Sequence, residues 1–216
     1  MKILIISAHP DDEILGCGAT ILKHVENGDE VSVCIVTTST HPRWSDEYRE
    51  RKLIEAKNVD RILGIKNRFY CNLRTTELSI TPGAELNKSL TEVIQEVDPD
   101  TVYTHFYGDI NSDHVEIFNS AMVCTRPISK KVSFLSFETL SSTEWGTAHF
   151  SPNFYVSVSE DQVKKKIEAF LCYESEVKDS PHPRSPEGIM NLAKKRGNDI
   201  CESFAESFVI IKDYWI

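Results

Sequence analysis

The chain has 216 residues, which is the length of one α/β domain, so we expect a single domain over residues 1–216. Its 33 acidic against 24 basic side chains give a net charge of -9, which opposes phosphate binding and excludes nucleic acid as the main partner. The six cysteines are scattered singly, which favours reduced thiols over a disulfide framework.

Short β-branched runs alternate with amphipathic stretches from residue 1 onward, a pattern typical of a parallel sheet covered by helices. Polar residues follow the apolar segment 3–6 well before the length of a signal peptide or membrane span. We therefore expect a buried strand there, a cytoplasmic location and no transmembrane segment. The strands of this half are predicted at 3–7, 31–37, 68–71 and 101–105, with helices at about 13–27, 45–63 and 84–97.

The second half of the chain continues with a helix that starts near Asp113. The later predicted elements are strands at 132–137 and 154–159, helices near 161–173 and 187–200, and a last strand at 207–211. Three prolines in 180–186 indicate a loop that is too short to separate domains. The pattern predicts a Rossmann-like α/β fold, a mainly parallel sheet of core order 3-2-1-4-5 with helices on both faces.

The chemistry is expected in the loops after strands one and four, which flank the crevice where strand order reverses. His9 and Asp12, three positions apart at a strand-to-helix turn, can face the same point as His114 from the opposite loop. A catalytic zinc site needs three N or O ligands and an open position for water, so these residues predict a zinc site. Asp11 and Glu13 add carboxylates beside it, one of them as a base.

Simpler interpretations exist for each of these residues. Asp11 or Asp12 can serve only as a helix cap, and His114 can make only one hydrogen bond at a helix start. His24 and His149 are expected to be solvated or packed. His41, after strand two, lies on the correct side of the sheet but has no acidic neighbour at ligand spacing.

A nucleotide-binding Rossmann domain is the main alternative, because Gly16-Cys17-Gly18 follows the first strand. A third glycine is missing, however, and strand two ends in Thr37-Thr38 instead of a ribose-binding acid. The carboxylates at the helix start would also repel a pyrophosphate. A catalytically silent binding domain on the same fold is the third interpretation.

The segment Ala8-His9-Pro10-Asp11-Asp12-Glu13, followed by Leu15-Gly16-Cys17-Gly18, resembles the signature of the PIG-L/LmbE-like deacetylases. Further matching segments extend the resemblance over nearly the whole chain, and the later ones look like a bacterial branch associated with sugar biosynthesis. These segments are Glu55 with Leu63-Gly64, 72–74, 104–105, 109–114, 125–127, 141–145, 182–185, 196–197 and 205–208.

The resemblance implies a Zn²⁺ ion held by His9, Asp12 and His114, with Asp11 as the general base. Many relatives have a histidine where this chain has Asn111, which can donate a hydrogen bond to an oxyanion but cannot deliver a proton.

Hydrolysis of an amide also requires a proton on the leaving amine. We favour Asp11 as the donor of this proton, and His182 is the alternative. Arg74 and His182 are expected to bind the substrate. Arg74 would contact a polar substrate group, with a surface ion pair as the alternative. The implied activity is a zinc-dependent amidohydrolase that removes an N-acetyl group from an amino sugar or its conjugate. Its partner would be a small-molecule N-acetyl sugar or glycoconjugate, and a homo-oligomer is left open.

Overall fold

The computed structural model describes residues 1–40 and 42–215. The described strands form one sheet and are β1 Lys2–Ser7, β2 Glu30–Thr38, β3 Asn67–Arg74, β4 Thr101–His105, β5 Ser133–Phe137, β6 Phe154–Ser157 and β7 Ala205–Lys212. Their order across the sheet is β3-β2-β1-β4-β5-β7-β6. The first five pair in parallel, whereas β7 runs antiparallel to both β5 and β6. The predicted order 3-2-1-4-5 is confirmed, and an antiparallel pair extends it beyond β5.

Helices cover both faces of this sheet, as predicted. They are α1 Asp12–Glu26, α2 Asp46–Leu63, α3 Gly83–Val97, α4 Ser112–Cys124, α5 Glu160–Leu171 and α6 Pro186–Asn198. Alternation along β1 divides the apolar core, because Ile3 and Ile5 pack with α1, α2, α5 and α6, while Leu4 and Ile6 pack with α3 and α4. Among the described residues, no helix is long and apolar enough to cross a membrane.

Local signals set the ends of α2. The Ser45 hydroxyl accepts a 3.2 Å hydrogen bond from the Tyr48 N–H at its start. Gly64 ends the helix at φ 73°, in the left-handed region that glycine adopts without strain. This end lies where the sequence predicts it. The strand β3, in contrast, is longer than its predicted range of 68–71.

The first helix, α1, is broken at Cys17, where φ is -147° and ψ is 26°. The Leu15 carbonyl accepts a 2.9 Å hydrogen bond from Lys166 Nζ, and the Thr20 N–H donates a 2.6 Å hydrogen bond to Glu206. Lys166 and Glu206 are a buried ion pair with Nζ and Oε1 2.6 Å apart. Backbone groups released by the break are therefore satisfied by this ion pair.

The segment Gly16-Cys17-Gly18 lies inside α1 and not at the turn that precedes it. A Cβ on Gly16 would lie 2.2 Å from the Phe137 ring, so the glycine allows α1 to approach β5 closely. A dinucleotide fingerprint needs its glycines at the strand-to-helix turn. Their position here favours a packing role over nucleotide binding.

Candidate metal site and adjoining cavity

The site lies at the carboxyl ends of β1 and β4, which are neighbours where the strand order reverses. The turn from β1 into α1 passes through Asp11, whose φ of 133° is a strained value for a residue with a side chain. Among the described residues the Asp11 side chain makes no capping hydrogen bond to α1, although it stands at the N-cap position. Its carboxylate is therefore directed to another partner.

His9, Asp12 and His114 come together at this edge of the sheet. One ligand atom from each residue lies within 4.8 Å of the others. Asp12 Oδ2 is 3.0 Å from His9 Nδ1 and 3.3 Å from His114 Nε2. Asp12 and His114 are buried, whereas the His9 side chain is 24% exposed, so the cluster is open to solvent on the His9 side.

The polar atoms of this cluster are poorly satisfied by the protein itself. Within residues 1–40 and 42–215, Asp12 Oδ1 and both ring nitrogens of His114 are buried without a hydrogen-bond partner. Burying polar atoms without a partner costs free energy of folding unless a ligand binds to them. Two imidazole nitrogens and a carboxylate oxygen are a ligand set that suits zinc, so the residues fit a zinc ion.

Two further carboxylates contact the ring nitrogens of His9 and His114 that do not face Asp12. Asp113 Oδ2 lies 3.2 Å from His9 Nε2, and Asp109 Oδ2 lies 3.3 Å from His114 Nδ1. Metal-bound histidines usually direct their second ring nitrogen to a carboxylate in this way. The arrangement leaves His9 Nδ1 and His114 Nε2 to face Asp12.

Asp109 is itself fixed by hydrogen bonds. The Ser142 hydroxyl donates to Oδ1, the Thr143 hydroxyl donates to Oδ2 at 2.6 Å, and the Asn111 N–H donates to Oδ1 at 2.8 Å. Burial opposes ionisation of Asp109, but the adjacent His114 imidazole and the hydrogen bonds from the two hydroxyls outweigh it and lower the pKa to about 2. The carboxylate is therefore ionised where it faces His114. Sequence reasoning assigned no role to Asp109 or Asp113.

His105 supports His114 through ring stacking. The two ring centroids are 3.7 Å apart with an interplanar angle of 13°. His105 Nε2 accepts a 2.9 Å hydrogen bond from the Ala8 N–H, and Nδ1 lies 3.2 Å from Thr139 Oγ1. Burial lowers the pKa of His105 well below its usual value, so the ring is neutral with its proton on Nδ1.

Asp11 is bound by Arg184, which lies in the segment 182–185 of the family resemblance but was assigned no role from the sequence. Arg184 Nη1 donates a 2.8 Å hydrogen bond to Asp11 Oδ2, and Nε donates a 2.6 Å hydrogen bond to Ser141 Oγ. Burial raises the pKa of Asp11 to about 8, and the Arg184 charge acts in the opposite direction. A buried carboxylate with a shifted pKa beside the His9, Asp12 and His114 cluster is suited to proton transfer.

Asn111 is the N-cap of α4. Its Oδ1 accepts a 3.0 Å hydrogen bond from the Asp113 N–H. Asn111 therefore orders the start of the helix that carries both Asp113 and His114. Its predicted contact with an oxyanion stays a prediction.

The two predicted substrate contacts, Arg74 and His182, are not among the described residues of the His9, Asp12 and His114 cluster or of the adjoining cavity's lining. Arg74 is exposed at the end of β3, with Nη1 3.6 Å from Glu77 Oε2, and it is absent from the described lining of the adjoining cavity. His182 Nδ1 accepts a 3.0 Å hydrogen bond from the Arg184 N–H, and its ring packs edge-on against Trp145. Arg74 thus makes the surface ion pair considered as its alternative, and His182 orders the loop that presents Arg184.

The remaining histidines have different surroundings. His24 Nδ1 lies 2.7 Å from Asp29 Oδ2, and Nε2 lies 3.1 Å from the Tyr103 hydroxyl, which is a packed role. His149 is exposed. His41 lies outside the described residues.

A cavity of about 630 Å³ opens beside His9 and Asp11. Its walls come from the carboxyl ends of β2 and β3, the start of α2 and the loop that carries Arg184. Trp44, Tyr48 and Tyr70 give it aromatic surfaces, between which threonines and Asn72 supply polar groups. Small-molecule sites have this size and this mixture of aromatic surface with a few polar groups.

Comparison with known proteins finds a matching family model and deacetylases of similar sequence. The model of the family described as PIG-L, GlcNAc-PI de-N-acetylase, matches residues 4–125. An uncharacterized deacetylase of Escherichia coli, YaiS, is 29% identical over 178 residues, which cover 80% of this chain and 90% of that protein. The diacetylchitobiose deacetylase of Thermococcus kodakarensis is 27% identical over 190 residues, 81% of this chain and 70% of that protein.

A solved structure shares the fold at lower identity. The N,N'-diacetylchitobiose deacetylase of Pyrococcus horikoshii superposes with a TM-score of 0.79 at 22% identity, covering 97% of this chain and 83% of that one.

Proposed function

The chain belongs to the PIG-L, GlcNAc-PI de-N-acetylase family, and we propose that it is a zinc-dependent hydrolase that removes an acetyl group from an N-acetylated amino sugar or its conjugate. The observation that carries the proposal is the convergence of His9, Asp12 and His114, with His9 also lining the cavity. Two imidazoles, one carboxylate and an open side are what a catalytic zinc site requires. Asp11 beside them supplies a base that the ligand set does not use.

In the proposed mechanism, His9, Asp12 and His114 would hold a zinc ion, whose chemistry there would be to acidify a water molecule and to polarise the acetamide carbonyl. Asp11 takes a proton from the water that attacks this carbonyl. Arg184, hydrogen-bonded to Asp11 Oδ2, favours the ionised form that a base needs. Asp109 and Asp113 keep the two imidazoles oriented.

The breakdown of the tetrahedral intermediate needs a proton on the leaving amine. We assign that proton to Asp11, which received it in the previous step. His182 is a weaker candidate, because its Nδ1 accepts the Arg184 N–H and its ring packs against Trp145. Asn111 is proposed to donate a hydrogen bond to the oxyanion from its side-chain amide.

The cavity supports a sugar as the group that carries the acetamide. Aromatic rings offer flat apolar surface to a sugar face, while hydroxyl and amide groups can hydrogen-bond to its hydroxyls. Two relatives named above are deacetylases of diacetylchitobiose, an N-acetylated sugar. We therefore propose an N-acetylhexosamine, free or joined to another group, as the substrate, and retain the cytoplasmic location as a prediction from the sequence.

The decisive experiment combines metal analysis of protein purified without chelator with acetate release from a panel of N-acetyl sugars. The panel contains free N-acetylglucosamine, diacetylchitobiose, a nucleotide-linked N-acetylhexosamine, a glycosyl lipid and a thiol-bearing glycoside. We expect about one zinc per chain and acetate from at least one compound. His9→Ala should lose most of the zinc, while His24→Ala, a histidine outside the site, should keep it.

Each negative result has a distinct meaning. Zinc without acetate release would favour a catalytically silent binding domain or another amide substrate. Acetate release that survives both a chelator and His9→Ala would show that the proposed zinc site does not carry the reaction.

A further inference from the structure

Cys34 on β2 and Cys71 on β3 bring their sulfur atoms to 3.6 Å across two adjacent strands. Cys34 is directly paired with Phe69, two residues before Cys71, and the register shifts between Ile35 and Thr37. Cys34 belongs to the apolar core on the side of the sheet that α3 and α4 cover, and Cys71 packs against that core. No other two sulfur atoms of the described residues are hydrogen-bonded, although all six cysteines are described.

The two thiols differ in exposure. Cys34 is fully buried in an inner strand, whereas Cys71 is half-buried on β3, which is an edge strand of the sheet. The hydrogen bond between the two sulfur atoms lowers the pKa of Cys71, and the same interaction together with burial raises the pKa of Cys34. Cys71 is therefore the accessible and more readily ionised thiol, with Cys34 placed directly behind it.

We propose that Cys34 and Cys71 form a modification site, an oxidisable thiol pair that closes to an intramolecular disulfide when it meets a hydroperoxide. The Cys71 thiolate attacks the peroxide O–O bond, which gives a sulfenic acid on Cys71 and releases hydroxide or alkoxide. The Cys34 sulfur then attacks the sulfenic sulfur, its thiol proton leaves with the departing oxygen as water, and the S–S bond forms. Both thiols together lose two electrons and two protons, and the hydroperoxide is reduced to water and an alcohol or a second water.

The pair lies next to the cavity. Tyr70 and Asn72, on either side of Cys71, both line that cavity, and Asn72 adopts a positive φ of 57°. An S–S bond to Cys34 would tie this irregular end of β3 to β2. The site is therefore placed where a covalent bond fixes one wall of the cavity.

In the test, the reduced protein is treated with hydrogen peroxide, and the remaining thiols are blocked by alkylation. The protein is then digested, and its peptides are mapped without reduction. We expect the intact mass, measured before alkylation, to fall by two hydrogen atoms. In the peptide map, one cross-linked species should join the peptides that hold Cys34 and Cys71. Dithiothreitol should restore both free thiols. The map is made on the unaltered protein, so it does not depend on whether a variant folds.

Matched variants complete the experiment. Cys34→Ala and Cys71→Ala should each abolish the cross-link, whereas Cys201→Ala, which removes an exposed lone thiol, should leave it intact. The proposal is overturned if Cys34 and Cys71 both remain alkylatable after peroxide treatment. It is also overturned if Cys71 accumulates as a sulfinic acid without a bridge, or if the main bridge involves Cys201.

Discussion

Arg184 Nη1 donates a 2.8 Å hydrogen bond to Asp11 Oδ2, although the two residues are 173 positions apart. Glu176 Oε2 lies 3.6 Å from the same Arg184 nitrogen, so the guanidinium lies between two carboxylates. Asp11 is buried, and burial alone favours its protonated form. The Arg184 contact is therefore what opposes protonation of the proposed base.

The first prediction removes this contact with Arg184→Gln. The pKa of Asp11 should rise, because the stabilising cation is gone while burial remains. A base is active when deprotonated, so the acidic limb of the kcat/KM profile should move to higher pH. Activity at neutral pH should fall by about tenfold for each pKa unit. Acetate release measured across pH gives both quantities.

Arg49→Gln is the matched control, because Arg49 lines the same cavity but its guanidinium contacts Asp46. It should leave the acidic limb in place. An unchanged acidic limb in Arg184→Gln would show that Arg184 does not tune Asp11.

The second prediction separates the base from the neighbouring ligand. Asp11→Asn should keep zinc and lower turnover by about 10²-fold or more, the usual scale for a general base. Asp12→Asn should lose most of the zinc, because a three-ligand site rarely retains its metal when one ligand is weakened. Metal analysis and acetate release on the same preparations distinguish the two. Zinc loss in Asp11→Asn with retention in Asp12→Asn would exchange their roles.

The sequence predicts the part of this site that depends on strand order and short spacing. His9 and Asp12 share one turn, and His114 follows the strand that lies beside β1, so alternation of strands and helices is enough to bring these residues together. Arg184 is different, because it reaches Asp11 from a loop near the end of the chain and no periodic pattern reports that contact. The place of Arg74 after a strand does not determine which way its long exposed side chain points, so its contact with a substrate stays a prediction.

The pairing of the strands at the antiparallel end of the sheet was also not predicted from the sequence. The strands β6 and β7 were expected from their composition, but apolar runs do not reveal which neighbour a strand pairs with or in which direction. Buried ion pairs such as Lys166 with Glu206 cannot be predicted from the sequence either, because charged residues are usually exposed to solvent.

The third prediction concerns that buried pair. Glu206→Gln leaves Lys166 as an uncompensated charge in a site where each side chain is only 5% exposed, and it weakens the acceptor of the Thr20 N–H. Loss of one partner of a buried ion pair costs about 3–5 kcal/mol, so the free energy of unfolding should fall by that order. Urea unfolding measures it.

Lys88→Ala is the control for this prediction, because it removes an exposed ion pair with Glu92. Exposed pairs contribute little, so this variant should unfold nearly as the parent does. Equal effects of the two substitutions would contradict a special role for Lys166 and Glu206 at the break in α1.

The last prediction asks whether Asn111 does more than cap α4. Asn111→Ala removes both the oxygen that accepts the Asp113 N–H and the side-chain amide proposed to meet the oxyanion. Asn111→Ser keeps an oxygen that can cap the helix. Its hydroxyl carries donor and acceptor on one atom, whereas the asparagine amide has a separate NH2 donor. Only the alanine variant should lose stability, by about 0.5–2 kcal/mol. Both variants should lower kcat and kcat/KM by similar factors of about 10²–10³, because the lost contact exists only in the transition state.

Kinetics and urea unfolding of the two variants, each with its zinc content measured, separate the roles. Parent-like turnover in Asn111→Ser would limit Asn111 to capping the helix that carries His114. A rise in KM alone would place Asn111 in substrate binding, and the oxyanion would then depend on the metal and on a donor other than Asn111. An equal loss of kcat in both variants, with zinc retained and only Asn111→Ala destabilised, is the result expected if one amide serves both the helix and the reaction.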